Sequence, residues 1–458
     1  MRAISWAVGV AVAAATAGVA RADPVGTAIE TRPSAREVHA AVDAYLADAK
    51  ADATLVGGAG AAGYDSGFWI RGGALLLKIN LTLQTRYEAF RWDDNDDEAQ
   101  PGGDLSGFSL PRATLKLSGE AACNISYYAQ LEFGHAAKVM PAMMDDEMMM
   151  MGYEPGMVEF MHDPGILREG WIEYTLRPEL AVRAGLVQTP ATRQLMVPPE
   201  LQQFVDVGMA AADVGGMMPG WTDRNRDYGL AFHGALGCDG QVQYLVTVTN
   251  GDGPVHRNVL DGTTNDNLAY AARVNWDVIG HQGYSECAIG YGECEWRLAV
   301  GAWAHAYTHV VSDRPHVTAS DDLNWGVDVA GGYGGFSFCA AYSGSDMDSD
   351  DPAMDTWAGC WCVQAGYLFP GTAWEIAARY AVIDMEMGTG ATKMTEGATE
   401  MAFAVNYFID GHADKLTADV SFISANDDGN IFGSVYPGYE PTGTGDGMLI
   451  RLQWQLAL

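Results

Sequence analysis

The sequence predicts an all-β transmembrane fold, a sixteen-stranded antiparallel β-barrel behind a short N-terminal helical segment, and three observations predict it. From about residue 74 to the end, apolar and polar residues alternate with a period of two. The segments between the alternating stretches are short and long in turn. No stretch after residue 22 approaches the ~18 uncharged apolar residues of a membrane helix, although 48% of the 458 residues are apolar.

Composition narrows the class further. The chain holds 59 acidic and 26 basic residues, a formal net charge of −33, and 55 glycines. Its apolar and aromatic content is too high for a disordered acidic tail. Its acidic field repels phosphate backbones, so no nucleic-acid partner is expected. The length allows several ordinary domains or one large all-β unit.

Taken in order, the chain starts with Arg2, an apolar run from Ala3 to Val19, and Ala20-Arg21-Ala22. A short basic start, an apolar core and an A-x-A site describe a cleaved export signal over residues 1–22, with a membrane anchor as the alternative. Residues 23–67 form the next unit, a periplasmic helical segment and linker. Ser34 and Glu37 have capping-box spacing, and Val38, Val42, Tyr45 and Ala49 make an apolar stripe over a helix at 34–51. That helix serves oligomerisation or is simply docked. The Gly- and Ala-rich residues 52–67 read as the linker, and residues 68–458 as the barrel.

In the first long strand, Leu75, Leu77, Ile79, Leu81 and Leu83 oppose Lys78, Asn80, Thr82, Gln84 and Arg86. The same pattern places strands near 74–92, 107–120, 125–135, 167–176, 179–189, 227–235, 241–250, 267–276, 296–311, 323–333, 336–345, 357–368, 373–384, 400–409, 414–425 and 447–458. Short turns at 121–124, 177–178, 236–240, 334–335, 369–372 and 410–413 alternate with long loops, among them 136–166, 190–226, 312–322 and 426–446; the connection at 277–295 is the long exception. A closed barrel with this asymmetry satisfies every backbone group in lipid. Trp276, Trp296, Trp325, Trp357 and Trp374, near strand ends, supply its interfacial girdle. The last strand alternates through Trp454 to the terminal Leu458, a position where outer-membrane barrels usually carry Phe.

Several stretches then resemble one family. They are Phe108–Gly119 (FSLPRATLKLSG), Leu167–Pro190, Arg226–Gly234 (RDYGLAFHG), Val248–Gly253, Trp374–Tyr380 and Leu449–Gln453. In this order they resemble the phosphate-selective porin O and P family of Gram-negative outer membranes. The resemblance implies a sixteen-stranded barrel, usually trimeric, with a constricting loop folded into the lumen. It also implies passive passage of small hydrophilic solutes or inorganic ions, anions such as phosphate among them. The family's Arg ladder and Lys ring cannot be located here.

Parity places Lys78, Arg86, Arg112, Lys116, Arg183, Arg273, Arg297, Glu375, Arg379 and Arg451 on the lumen side as candidate pore-lining residues. Most of the acid falls in loops, such as 93–98 and Asp346 to Asp351. The expected picture is a mildly basic wall under an acidic mouth, or equally a solvated lumen without selectivity. The 190–226 loop is the candidate constriction, with Arg193, Asp206, Asp213 and Arg224, or else a surface loop. Cys339 and Cys362 are expected to face each other across neighbouring strands as a disulfide, with Cys360 as the competing partner, and Cys287 and Cys294 form a second candidate pair; free thiols are the alternative.

No cofactor and no metal site is expected. The Met-rich segment 140–161 is a biased surface loop or, less simply, a Cu(I) trap, and Asp346-x-Asp348-x-Asp350 lacks the Gly and Glu of an EF-hand. His305 and His309 stand ~13 Å apart along a strand, too far to share an ion. The expected function is an outer-membrane porin, not an enzyme, in contact with outer-membrane lipid and forming a homotrimer. A barrel protease or lipase is an alternative, but no G-x-S-x-G occurs. An acidic surface or structural barrel is the other.

Overall fold

The structure, a computed structural model, describes residues 61–458 apart from 65–66, 94–104, 123, 135–166, 212–224, 238, 252–267, 291–294, 314–315, 351–354, 389–393 and 426–445. The chain divides into two compact units, Met1–Gly63 and Tyr64–Leu458. The expected export signal and the helix at 34–51 lie outside the described residues, as does the Met-rich segment.

Two short strands come first, β1 (Ala61–Tyr64) and β2 (Phe68–Gly72). The barrel follows: β3 (Leu75–Asp93), β4 (Leu105–Ala122), β5 (Ile125–Glu132), β6 (Leu167–Arg177), β7 (Leu180–Gln188), β8 (Arg226–Leu236), β9 (Val242–Thr249) and β10 (Ala269–Ile279). It continues with β11 (Trp296–Asp313), β12 (His316–Tyr333), β13 (Phe336–Ser349), β14 (Thr356–Leu368), β15 (Trp374–Met387), β16 (Met394–Asp410), β17 (Asp414–Ala425) and β18 (Asp446–Ala457). Each strand pairs antiparallel with the next, and β18 closes on β3 with Arg451 opposite Glu88. Closure leaves no open edge, the condition for crossing lipid with strands.

Alternation decides the two faces. Arg273, Asn275 and Asp277 of β10 are buried on the inner face, while Val274 and Trp276 between them are exposed outside. Trp296, Trp325, Trp357 and Trp374 are likewise exposed on the outer face. Pro111 sits where the β3–β4 register slips, with Gln84 opposite Arg112 but Arg86 opposite Ser109. A residue without an N–H is tolerated at such a bulge.

Several stretches depart from the sequence reading. The expected 312–322 loop is mostly strand, because β11 and β12 run on to Asp313 and from His316, leaving 314–315 between them. Asp346 and Asp348 stand in β13, opposite Leu323 and Asp321, instead of in a loop. These strand extensions are Ser- and Asp-rich and lack an apolar face, so the two-residue period cannot mark them. Finally, Phe68-Trp69-Ile70 continue the sheet below Leu458 by pairing with the foot of β3 as β2.

Candidate functional site

The site is built from the segment between β7 and β8. Thr189, Pro190 and Ala191 leave the end of β7, and a single helical turn, α1 (Arg193–Met196), is followed by Val197-Pro198-Pro199. Prolines end the ladder and the turn because they cannot donate to either. From there the described residues run inside the barrel to Ala211, nearly all of them buried. Ala, Val, Leu, Met and Phe supply most of this burial, so the segment lines the lumen as an internal core would.

One side of the lumen is sealed by that segment. Val207, Met209, Ala210 and Ala211 pack on Cys360, Cys362, Ala381, Ile383, Ile423 and Leu449 from the inner faces of β14, β15, β17 and β18. Phe204 fills a hollow left by Ala377, Ala402 and Ala404, with the Arg379 guanidinium 4.2 Å from its ring centre. Gly366 makes room for the Gln203 carboxamide, into which any Cβ there would run.

Polar groups fasten what the apolar ones cover. The Arg379 guanidinium donates to Glu400 at 2.8 Å and to the Asp206 carbonyl at 3.1 Å, and Glu400 in turn accepts from the Met209 N–H. Arg451 makes a bidentate pair with Asp419, which also accepts from the Val205 N–H. Lys415 donates to the Gln202 carbonyl at 2.7 Å and Asn406 to the Gln203 carbonyl at 2.8 Å. The Asp206 carboxylate bridges Arg86 at 2.9 Å and Arg112 at 2.8 Å.

The exceptional turn between β10 and β11 enters from the short-turn rim to meet the segment. The Glu286 N–H donates to the Leu201 carbonyl, and the Glu286 carboxylate accepts from the Gln203 N–H. Arg193 donates to Asn275 and to the carbonyls of Gln282 and Gly283. Arg273 pairs bidentately with Asp328 and also reaches the Ala191 carbonyl and the Tyr284 hydroxyl. Arg297 donates to Gln282, and Glu375 accepts from the Ala288 N–H and Asn406. Burial, reinforced by Glu375, pushes the Cys287 thiol in this turn well above its ordinary range.

The other side of the lumen is less filled by the described residues. A cavity of about 230 Å³ lies between the segment and the inner faces of β4, β5, β6 and β8. Three ion pairs border it: Lys116–Glu200, Arg168–Glu132 at 3.6 Å and Arg226–Glu169 at 3.2 Å. Arg112 lines it as well, as does Tyr128, stacked on Trp171. Deeper along the same wall, Arg183 pairs with Glu173 and lies 4.2 Å over the Trp171 ring.

The expected site residues therefore divide. Arg112 and Lys116 border the cavity; Arg86, Arg193, Arg379, Arg451 and Asp206 hold or belong to the inward segment. Lys78 lies at the foot of β3, opposite Trp69 of β2, apart from both groups. Asp213, Arg224 and Cys294 lie outside the described residues. Parity reasoning missed Arg168 and Glu169 as cavity residues, whereas Glu200 and Arg226 fall within the 190–226 loop expected to constrict the pore.

The Cys339–Cys362 pairing is corrected by the register. Cys339 stands opposite Gln364, and Cys362 opposite Ala341. The two thiols are diagonal, and ~7–8 Å between diagonal Cα atoms is too far for a disulfide. Cys287, Cys339, Cys360 and Cys362 are buried, and no disulfide joins them among the described residues. The β13–β14 register is offset from the one that would set the two cysteines side by side, so each faces a residue two positions from the other.

The family model for phosphate-selective porin O and P matches residues 79–455. Among solved structures, the anion-selective porin from Comamonas acidovorans is 12% identical with a TM-score of 0.55, over 84% of this chain and 100% of that one. In vitro folded OmpT, an outer membrane protein of Vibrio cholerae, is 11% identical with a TM-score of 0.51, over 85% and 99%. OprB of Pseudomonas putida, in its high-pH structure, is 10% identical with a TM-score of 0.50, over 83% and 94%. No curated protein matches the chain.

Proposed function

The chain belongs to the phosphate-selective porin O and P family, an outer-membrane porin by that membership, and from this premise we propose a narrow diffusion pore with weak ion selectivity. The observation that carries the reading is the cavity beside the inward segment. Four cations line it, Arg112, Lys116, Arg168 and Arg226, against three carboxylates, Glu132, Glu169 and Glu200. Fixed charge of one sign in a confined, low-dielectric passage concentrates the opposite ion. Arg112 is itself paired with Asp206 just outside this lining, so the excess of one cation supports only a slight preference for anions. The net charge of −33 belongs to the whole chain and does not set the sign in the lumen.

Passage requires no reaction, and the charged groups at the cavity are matched to one another instead of poised as nucleophile and base. The Arg86, Arg193, Asp206, Arg273, Arg297, Glu375, Arg379 and Arg451 set acts by holding the constriction, and Arg112, Lys116 and Arg183 by shaping the passage.

A homotrimer fits the uneven wall. β5, β7 and β9 have 8, 9 and 8 residues, whereas β11 and β12 have 18 each. A tilted strand needs ~9–11 residues to cross a bilayer, and β6, β7 and β8, with 11, 9 and 11, just reach that span, so this lowest wall of the barrel is the place for a partner subunit to pack.

Reversal potentials in a KCl gradient across a planar bilayer test the proposal. A small potential of anion-preferring sign is expected; a clear cation preference, or a folded barrel that never conducts, would refute it. Sizing the same preparation in detergent checks the trimer, which a monomeric mass would exclude.

A further inference from the structure

We infer that this pore favours small solutes carrying both charges and an apolar body, zwitterions of the apolar α-amino-acid kind, over inorganic anions. The inference rests on the porin reading and names the solute class for the same cavity.

The two faces of the cavity are chemically unlike. On the segment side, an apolar run from Leu195 to Pro199 faces it, flanked by the polar Gln194, Glu200 and Gln202. The run is hydrocarbon and thioether, and its two consecutive prolines present no backbone N–H to an anion. On the barrel side, each of the four lining cations lies against a carboxylate: Arg112 with Asp206, Lys116 with Glu200, Arg168 with Glu132, Arg226 with Glu169. These pairs are partly exposed, with side-chain accessibilities of 8% to 20%, so their fields reach the passage.

A phosphate dianion is poorly served by such a lining. It needs converging N–H donors without competing acceptors, yet here every approach to a cation also meets a carboxylate. A zwitterion finds a partner for each end. Its carboxylate goes to the guanidinium or ammonium side of a pair and its ammonium to the carboxylate side. Its apolar side chain then turns to the Met196–Pro199 face, where losing hydration is favourable. The size agrees: about 230 Å³ is many times the ~10–15 Å³ that one water needs by a comparable measure, room for one such molecule.

Proteoliposomes carrying the full chain test this by comparing swelling rates in L-leucine, glycine and ribose, alongside KCl current with and without added inorganic phosphate. Leucine is expected to enter faster than the similarly sized, uncharged ribose by about five-fold, the occupancy gain from burying ~40 Å² of apolar surface. Leucine should also depress the KCl current at concentrations where phosphate does not. In the M196S/V197S double variant the leucine advantage over glycine should shrink, with the glycine rate as internal reference. Rates ordered by size alone, or phosphate depressing the current more than leucine does, overturn the inference while leaving a conducting porin. No KCl current at all overturns the porin reading and this inference with it.

Discussion

Arg379–Glu400 and Arg168–Glu132 are both cation–carboxylate pairs on the inner face of one barrel, but their surroundings are opposite. The first has side-chain accessibilities of 0% and 0%, at 2.8 Å; the second, 17% and 13%, at 3.6 Å. The inward segment makes the difference. Where it lies against β13–β18 the wall has become the boundary of a protein core, and its charges are used up in hydrogen bonds to backbone groups of the segment. Where it meets β4–β8 through the charged groups of Glu200 and Asp206 instead of through an apolar core, the charges border a passage. A buried pair adds little net stability over apolar packing, because desolvation offsets attraction, but losing one partner is severe. A bordering pair is cheap to break and acts through its field. The same residue types thus hold the constriction on one side and tune permeation on the other.

The sharpest way to break this comparison is Glu400→Ala. It leaves the Arg379 guanidinium buried without its carboxylate and removes acceptors from the Met209 N–H and the Ser421 hydroxyl. A loss of about 3–5 kcal/mol is expected, read as a lower urea midpoint or a lower temperature for conversion of the folded band on a semi-native gel. A shift of under ~1 kcal/mol would mean that the sealed side is not sealed. Asp206→Asn comes next. Asp206 ties the segment to Arg86 and Arg112 and is 18% exposed. About 1–3 kcal/mol of local anchoring is at stake, so single-channel conductance should rise and become noisier while the barrel stays folded. Unchanged conductance would show that the segment is held by its apolar contacts alone.

The barrel itself was legible because each strand crossing lipid must show its face, and period two does that from Leu75 to Leu458. The sealed side was harder to see, though it left a trace. Alternation fails in Tyr380-Ala381-Val382-Ile383, at Phe422-Ile423 and in Met448-Leu449-Ile450, where both faces are apolar. The inner members, Ala381, Ile383, Ile423 and Leu449, are those that meet the segment. A strand that is apolar on both faces is buried on both, and read that way these runs point to a partner inside the barrel. The cavity residues were less accessible to reasoning. Parity could place Lys116 inside but could not say that the segment would press against β13–β18 and leave β4–β8 open. That choice depends on where Phe204 finds room among Ala377, Ala402 and Ala404, a three-dimensional fit between stretches some 170 residues or more apart. The polar extensions of β11–β13 were invisible for the opposite reason: they have no apolar face to repeat.

Arg226→Gln is expected to move stability least and is the most specific test of the open side. Its pair with Glu169 is 3.2 Å long, with side-chain accessibilities of 14% and 11%, beside the cavity. Breaking a pair so placed costs about 1 kcal/mol or less, so the folded band should convert within a few degrees of the unmodified protein. Permeation should respond more than folding does. The substitution removes one of four lining cations and leaves Glu169 to act alone, so the lining changes from four against three to three against three. The reversal potential in a KCl gradient should therefore move toward the cation side by a few millivolts or more, and the shift should shrink at high salt as screening shortens the reach of the fixed charges. A variant that lost stability on the scale of Glu400→Ala while keeping its reversal potential would place Arg226 with the sealed side, and the division between the two walls would have to be redrawn.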